Sequence, residues 1–308
     1  MQMNDEVSRR LGSSLEQLNA RIARLAQRWE DDCSQALIQV HGESQGMALA
    51  QRFAAAFSTA YQHDFVGEVG ADDALRLCGL SSEQALAVQL YRPIDAGAGQ
   101  FRLKIYSTAK VALSDSLPVL ERMGARVLDE QPYRIATETA DFWIHDLGLQ
   151  LPVETVFAVV KERFEALFVQ AWRAELDSDD LNKLVLVSDL DARSIAVLRA
   201  YTRYFKQLGF GFSQNYIEAT LHKNADLSQL LYALFDARFN PDLAARGAAD
   251  QQALAEQIET RLRAVASLEE DRVLRQFLGA IRATLRTNVW QRSSTGAIKP
   301  YMSFKFDP

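Results

Sequence analysis

The stretch from Phe101 to His145 constrains this chain most, because it alone has the two-residue period of a sheet inside a sequence whose apolar residues otherwise recur every three to four positions. Phe101, Leu103 and Ile105 alternate with Arg102, Lys104 and Tyr106, the pattern of a half-buried strand with its second face polar. Ser114 is placed to cap a following helix that carries Leu117, Leu120 and Met123 on one face, and Gly124 ends it where a left-handed backbone is needed. A second strand runs over Ala125 to Ile135, with Pro132 marking it as irregular or at an edge. A third, Asp141 to Gln150, is expected to break near Asp146 and Gly148, and a helix follows from Pro152. Strand, helix, strand, strand, helix is most of a βαββαβ unit, which makes the fold class α+β.

Everything on either side reads as helix. Ser14 to about Gly42 has apolar residues at helical spacing, with an expected bend at Glu30-Asp31-Asp32, and an alanine-rich helix follows from Glu43 to Tyr61 with Phe53, Phe57 and Tyr61 one turn apart. Gly67, Gly70 and Ala71-Asp72-Asp73 read as a turn before a short helix ending at Gly79, and Ser81 to Arg92 as a strand leading into the module. Beyond it the pattern predicts helices over Val153 to Leu176 and Leu181 to Val187, the latter capped by Ser178. Another runs to Leu208, with Ser188 or Asp191 as cap and Gly209 as stop. A helix from Ser213 to near Asn224 and one over Leu227 to Phe239 follow. After a small-residue linker, Ala244 to Asp250, come helices over Gln251 to Ala266 and from Ser267 to about Asn288. Arg272, Arg275, Arg282 and Arg286 give the last of these a basic side, either a solvated face or a docking surface. Val289 to Arg292 and Ile298 to Phe306 read as a β-hairpin, whose apolar strand at the end of the sequence is expected to belong to a longer protein or to be completed elsewhere. The expected organisation is a helical region over 1–80, the α+β module over 81–176, a helical domain over 177–290 and the hairpin over 291–308.

Length and composition narrow the chemistry. A chain of 308 residues with 48% hydrophobic content has material for about two domains with real cores. The 34 basic and 40 acidic residues are intermingled, net −6, so nothing points to nucleic acid or to an anionic membrane, and no apolar run approaches a membrane span or a signal peptide. Cys33 and Cys78 lie far apart, which favours reduced thiols in a cytoplasmic setting over a disulfide or zinc site. His41, His63, His145 and His222 have no metal-ligand spacing, and no hydrolase, Walker or zincin motif is present. His145 beside Asp146 is a poor acid–base pair, since neighbours on a strand point to opposite faces. Gly97-Ala98-Gly99 lacks the third glycine and the helix of a dinucleotide fingerprint. No catalytic, cofactor-binding or metal residue is therefore assigned.

Several blocks nonetheless form a recognisable series: Leu90-Tyr91-Arg92-Pro93, Leu113 to Gly124 (LSDSLPVLERMG), Trp143-Ile144-His145-Asp146, Phe212 to Leu221 (FSQNYIEATL), Arg282 to Asn288 (RATLRTN) and Lys299 to Lys305 (KPYMSFK). In this order, over nearly the whole chain, they resemble the large bacterial class of NAD-specific glutamate dehydrogenase. The resemblance implies a segment of that enzyme's long N-terminal region, an ACT-like (ferredoxin-like) module with its helical connections, ending before a catalytic domain that holds the glutamate and NAD sites. It implies no cofactor in this segment, with NAD serving the parent enzyme. It also implies a regulatory and assembly role, with partners that are the catalytic domain of the same polypeptide, further copies in a homo-oligomer and an amino-acid effector. ACT-like modules take effectors where the first strand meets its helix, here Ser107 to Asp115, with Lys110, Ser114 and Asp115 as candidate contacts. The same residues also fit a capped helix and polar loop without ligand. A free-standing interaction or amino-acid-sensing module is the alternative role.

Overall fold

Residues 28–81, 84–243 and 248–307 are described in a computed structural model of the chain, which divides into two units. The first comprises residues up to Gln89 with Leu103–Ala112 and Asp129–Leu147; the second comprises Leu90–Arg102, Leu113–Leu128 and Gly148 onwards.

Four helices open the first unit: α1 (28–41), α2 (Glu43–Phe53), α3 (Thr59–Asp64) and α4 (Gly67–Cys78). The part of the predicted first helix before residue 28 lies outside the described residues. The alanine-rich helix is not continuous to Tyr61. It passes through a 3-10 turn, Ala54–Ala56, into extended Phe57, and Ser58 caps α3 by accepting from the Tyr61 N–H. The interruption turns Phe57 into the same core as Phe53 and Tyr61, with ring centroids of Phe57 and Tyr61 4.6 Å apart. Nor are Gly67, Gly70 and Asp73 in a turn; they lie within α4. A Cβ at Gly67 would stand 2.7 Å from the Cys33 nitrogen and one at Gly70 2.5 Å from the Trp29 ring, so these glycines let α4 pack closely on α1. Trp29 completes the contact by donating its indole N–H to the Phe65 carbonyl at 2.7 Å.

The sheet has strands β1 (Leu86–Tyr91), β2 (Gln100–Ser107), β3 (Arg126–Ala136) and β4 (Asp141–Gln150), antiparallel in the order β1-β2-β4-β3. Pro132 does lie in an edge strand, β3. β4 runs unbroken through Asp146 and Gly148, contrary to the expected interruption. β2 is not half-buried either: Lys104 and Tyr106 are as buried as Leu103 and Ile105. At the β3 edge Phe57 forms a bridge with Ile135.

In the second unit α5 (Leu113–Arg122) begins one residue before Ser114, which therefore sits in the first turn and does not cap it. Gly124 ends α5 with φ +83°, lying against Leu186, and Arg122 donates to the Ser178 carbonyl at 2.6 Å. α6 (Phe157–Trp172) starts later than its apolar pattern, since Pro152 and Thr155 close a turn ahead of it. Two α6 side chains secure the β1 edge: Glu165 accepts from the Leu90 N–H at 2.6 Å and Lys161 donates to the Leu90 carbonyl at 2.7 Å.

The remaining helices are α7 (Leu184–Val187), preceded by a 3-10 turn, α8 (Ala192–Gln207), α9 (Gln214–Lys223), α10 (Ala225–Phe239), α11 (Ala248–Leu262) and α12 (Leu268–Ala283). Asp179, not Ser178, caps the first of these turns, because its carboxylate accepts from the Leu181 N–H. Asp191, Ser213 and Ser267 cap α8, α9 and α12. α12 stops at Ala283, five residues short of the prediction, where buried Thr284 donates back to the Ala280 carbonyl and starts β5 (Thr284–Thr287). The hairpin pairs β5 with β6 (Phe304–Phe306), so its first strand lies earlier than Val289 and only the bridge Arg292–Ile298 matches the expected pairing. Contrary to the expectation of a partner elsewhere, two of its apolar residues pack within the chain, while Ile298 and Tyr301 stay exposed. Phe304 and Phe306 pack on Tyr201, and Phe306 stacks on Tyr204 with centroids 4.0 Å apart. The basic side of α12 is largely engaged: Glu259 of α11 accepts from both Arg275 and Arg282, and Arg272 lies over Phe212.

Candidate functional site

The loop leaving β2 is drawn back towards the sheet by two contacts. Ser107 donates its hydroxyl to the Ala109 carbonyl at 2.6 Å, and the Val111 N–H donates to Nε2 of His145 at 3.2 Å. A backbone N–H can only donate, so Nε2 is the bare nitrogen and the ring hydrogen sits on Nδ1. Nδ1 in turn donates to Oε1 of Glu130 at 2.6 Å. Glu130 on β3, His145 on β4 and the loop at Val111 thus form one relay, with His145 only 2% exposed.

The surface above the relay is aromatic and basic. Trp143 stacks on His145, and the Lys110 ammonium lies 5.7 Å from the Trp143 ring centroid. Of the three candidate contacts, Lys110 belongs to the first unit, while Ser114 and Asp115 belong to the second, where the Ser114 hydroxyl donates to Asp115 at 3.3 Å. All three are exposed. Asp115 already places a carboxylate in the first turn of α5, where the helix dipole favours one.

A second cluster of charged groups lies within the first unit. Asp73 of α4, fully buried, accepts from Lys104 at 2.5 Å, from the Tyr61 hydroxyl, and from the Tyr106 hydroxyl at 2.7 Å, with the Gln89 amide 2.8 Å from Tyr106. The Lys104 ammonium sits 3.8 Å from the Phe65 centroid. Burial, reinforced by Asp73, pushes both phenols far above their ordinary range, so they stay protonated and donate. Both carboxylate oxygens of Asp73 accept from protein donors and the group is shut off from solvent, so the arrangement holds a fold together and leaves no opening for a substrate.

Neither the relay nor this cluster followed from local pattern. His145 pairs with Glu130, fifteen residues away, and not with Asp146. The signal available was the turn Thr137 to Ala140: counting back from it sets Pro132 opposite His145, with Glu130 at the diagonal position on the same face. Among the described residues no group of His, Cys, Asp and Glu could hold a metal, and no helix is long and apolar enough to cross a membrane.

Four family models match the chain in succession. Residues 36–80 match "Glutamate dehydrogenase, helical motif 2", 85–161 "Glutamate dehydrogenase, ACT3 domain", 176–241 "Glutamate dehydrogenase, helical motif 3", and 257–308 "Bacterial NAD-glutamate dehydrogenase, catalytic domain". The last match starts within α11, so similarity to the catalytic domain begins inside the chain and not beyond the hairpin. The chain is 38% identical over 298 residues to an NAD-specific glutamate dehydrogenase of Halomonas elongata, 35% over 302 residues to one of Pseudomonas aeruginosa and 30% over 266 residues to one of Mycobacterium tuberculosis. These alignments cover 96%, 94% and 80% of this chain but only 18%, 18% and 16% of the relatives.

Proposed function

Because the chain belongs to the bacterial NAD-specific glutamate dehydrogenase family, we propose that it is a regulatory and assembly segment of such an enzyme, whose full polypeptide oxidises L-glutamate with NAD and water to 2-oxoglutarate, ammonia and NADH. The observation that carries this reading is the unbroken succession of two helical, one ACT and one catalytic-domain match in chain order. NAD is then the coenzyme of the parent enzyme, bound outside this segment, in a cytoplasmic homo-oligomer.

The module fits an ACT-like, ferredoxin-like reading in permuted form. Its elements run ββαββα; counting β1 last turns them into βαββαβ, and the strand order β1-β2-β4-β3 becomes that of the ferredoxin-like sheet. An amino-acid effector would meet the Lys110 ammonium with its carboxylate and Trp143 with its side chain, and a shift of the loop would reach β3 and β4 through Val111, His145 and Glu130. Lys110, Ser114 and Asp115 are the residues to vary in testing that site. The hairpin, fixed on Tyr201 and Tyr204, gives the segment a rigid outlet towards the remaining catalytic domain.

Calorimetric titration of the chain with a panel of amino acids and with NAD, alongside light scattering, tests the proposal. Heat with one amino acid, abolished by Lys110→Ala, and none with NAD is the expected result. Saturable NAD binding would overturn the assignment of the coenzyme to another part of the enzyme, and absence of any amino-acid heat would leave assembly without regulation.

A further inference from the structure

The hairpin sets Arg286 of β5 directly opposite Lys305 of β6. Opposed residues in an antiparallel pair project from the same face, and two like charges there repel, so the hairpin gains nothing from this pair by itself. Among the described residues neither side chain has an ion pair or hydrogen bond. Other cations of the second unit do: Arg275 and Arg282 share Glu259, Arg292 donates to the Gly296 carbonyl, and Arg238 donates to the carbonyls of Arg282 and Thr284.

Arg286 and Lys305 line a concavity of about 780 Å³, with Asn288, Ser303, Trp290 and Phe239 among its other walls and no carboxylate in its lining. Asn288 is used internally, accepting from the Ser303 N–H at 2.6 Å, so it holds the two sides of the wall together. Trp290 stacks on Phe235, and its indole N–H, a donor only, has no acceptor among the described residues. The lining therefore has a surplus of donors and of positive charge over a flat aromatic wall. A guanidinium offers a planar fork and an ammonium a compact charge, the combination that grips a doubly charged oxygen group.

We propose that this concavity binds a small dianionic oxyanion, the phosphate group of an ester or a dicarboxylate, between Arg286 and Lys305. The test is titration calorimetry of the full 308-residue chain with inorganic phosphate and, separately, with succinate, at ionic strength held constant with chloride. One saturable site is expected for at least one probe, and the arm that binds identifies the source of the charge. Arg286→Gln and Lys305→Gln each weaken it about tenfold, a loss of about 1.4 kcal/mol, whereas Arg275→Gln, whose guanidinium is already paired, leaves it unchanged. Melting curves guard against misfolding: both hairpin variants melt at or above the parent because repulsion is relieved, and the probe raises only the parent. Absence of saturable binding by either probe, or equal affinities in Arg286→Gln and Arg275→Gln, overturns the site.

Discussion

Glu130 and His145 stand 2.6 Å apart across β3 and β4, and the histidine turns its other nitrogen to the Val111 N–H. One ring therefore ties two strands and a loop, and its tautomer is fixed by geometry. Nitrogen-15 NMR of the imidazole is expected to show hydrogen on Nδ1 with Nε2 bare, and Glu130→Ala to cost about 1.5–3 kcal/mol, the range for a hydrogen bond to a charged group. A spectrum with hydrogen on Nε2 would contradict the relay.

Lys104 and Asp73 form an ion pair with 2% and 0% of their side chains exposed. Removing one charge leaves the other buried and unpaired, so Lys104→Met is expected to cost about 3–5 kcal/mol in urea unfolding. A loss below about 1 kcal/mol would mean that water reaches the pair.

Gly70 and Gly279 make an internal comparison, both being helical glycines. Gly70→Ala drives a methyl to within 2.5 Å of the Trp29 ring and is expected to destabilise by about 1–3 kcal/mol. Gly279→Ala meets nothing within 4 Å and is expected to stabilise by about 0.5–1 kcal/mol. Equal effects would show that α4 does not approach α1 as described.

Glu218 is 3% exposed, and burial raises its carboxyl above the usual range, although Gln214 and the Asp180 N–H donate to it and oppose the shift. The charged form is thus disfavoured in the folded state. The resulting penalty is absent below the ordinary glutamate range, grows as pH rises from there to the raised folded value, and is fully present above it. Glu218→Gln should therefore raise stability at neutral pH, with the gain disappearing as the solution is acidified through the carboxylate range. A gain of equal size at low pH would rule out ionisation as its cause.

What could be read from the sequence is what neighbours in the chain decide. Asp191, Ser213 and Ser267 cap their helices because each needs only an N–H three residues ahead, and Gly124 ends α5 for an equally local reason. Pro132 placed β3 at an edge by its missing donor alone. Lys104 was misread because alternation reveals that a strand has two faces but not what covers the second; α4 brings Asp73 there from thirty-one residues away. Gly67 and Gly70 were misread for the same reason, since a glycine chosen for close helix packing looks like one chosen for a turn until the facing helix is known. The candidate site was legible as a place, the loop between β2 and α5, but its connections to His145 and Glu130 depend on strand register.

The sheet ends at Leu90 on one side, where Glu165 and Lys161 occupy both backbone groups, and it is interrupted on the other by Pro132 and by Phe57 beside Ile135. A neighbouring subunit cannot simply continue the ladder past these positions. Were copies to associate through this module, one surface of side chains would have to match another, and specificity between copies would be written in residues that can diverge freely.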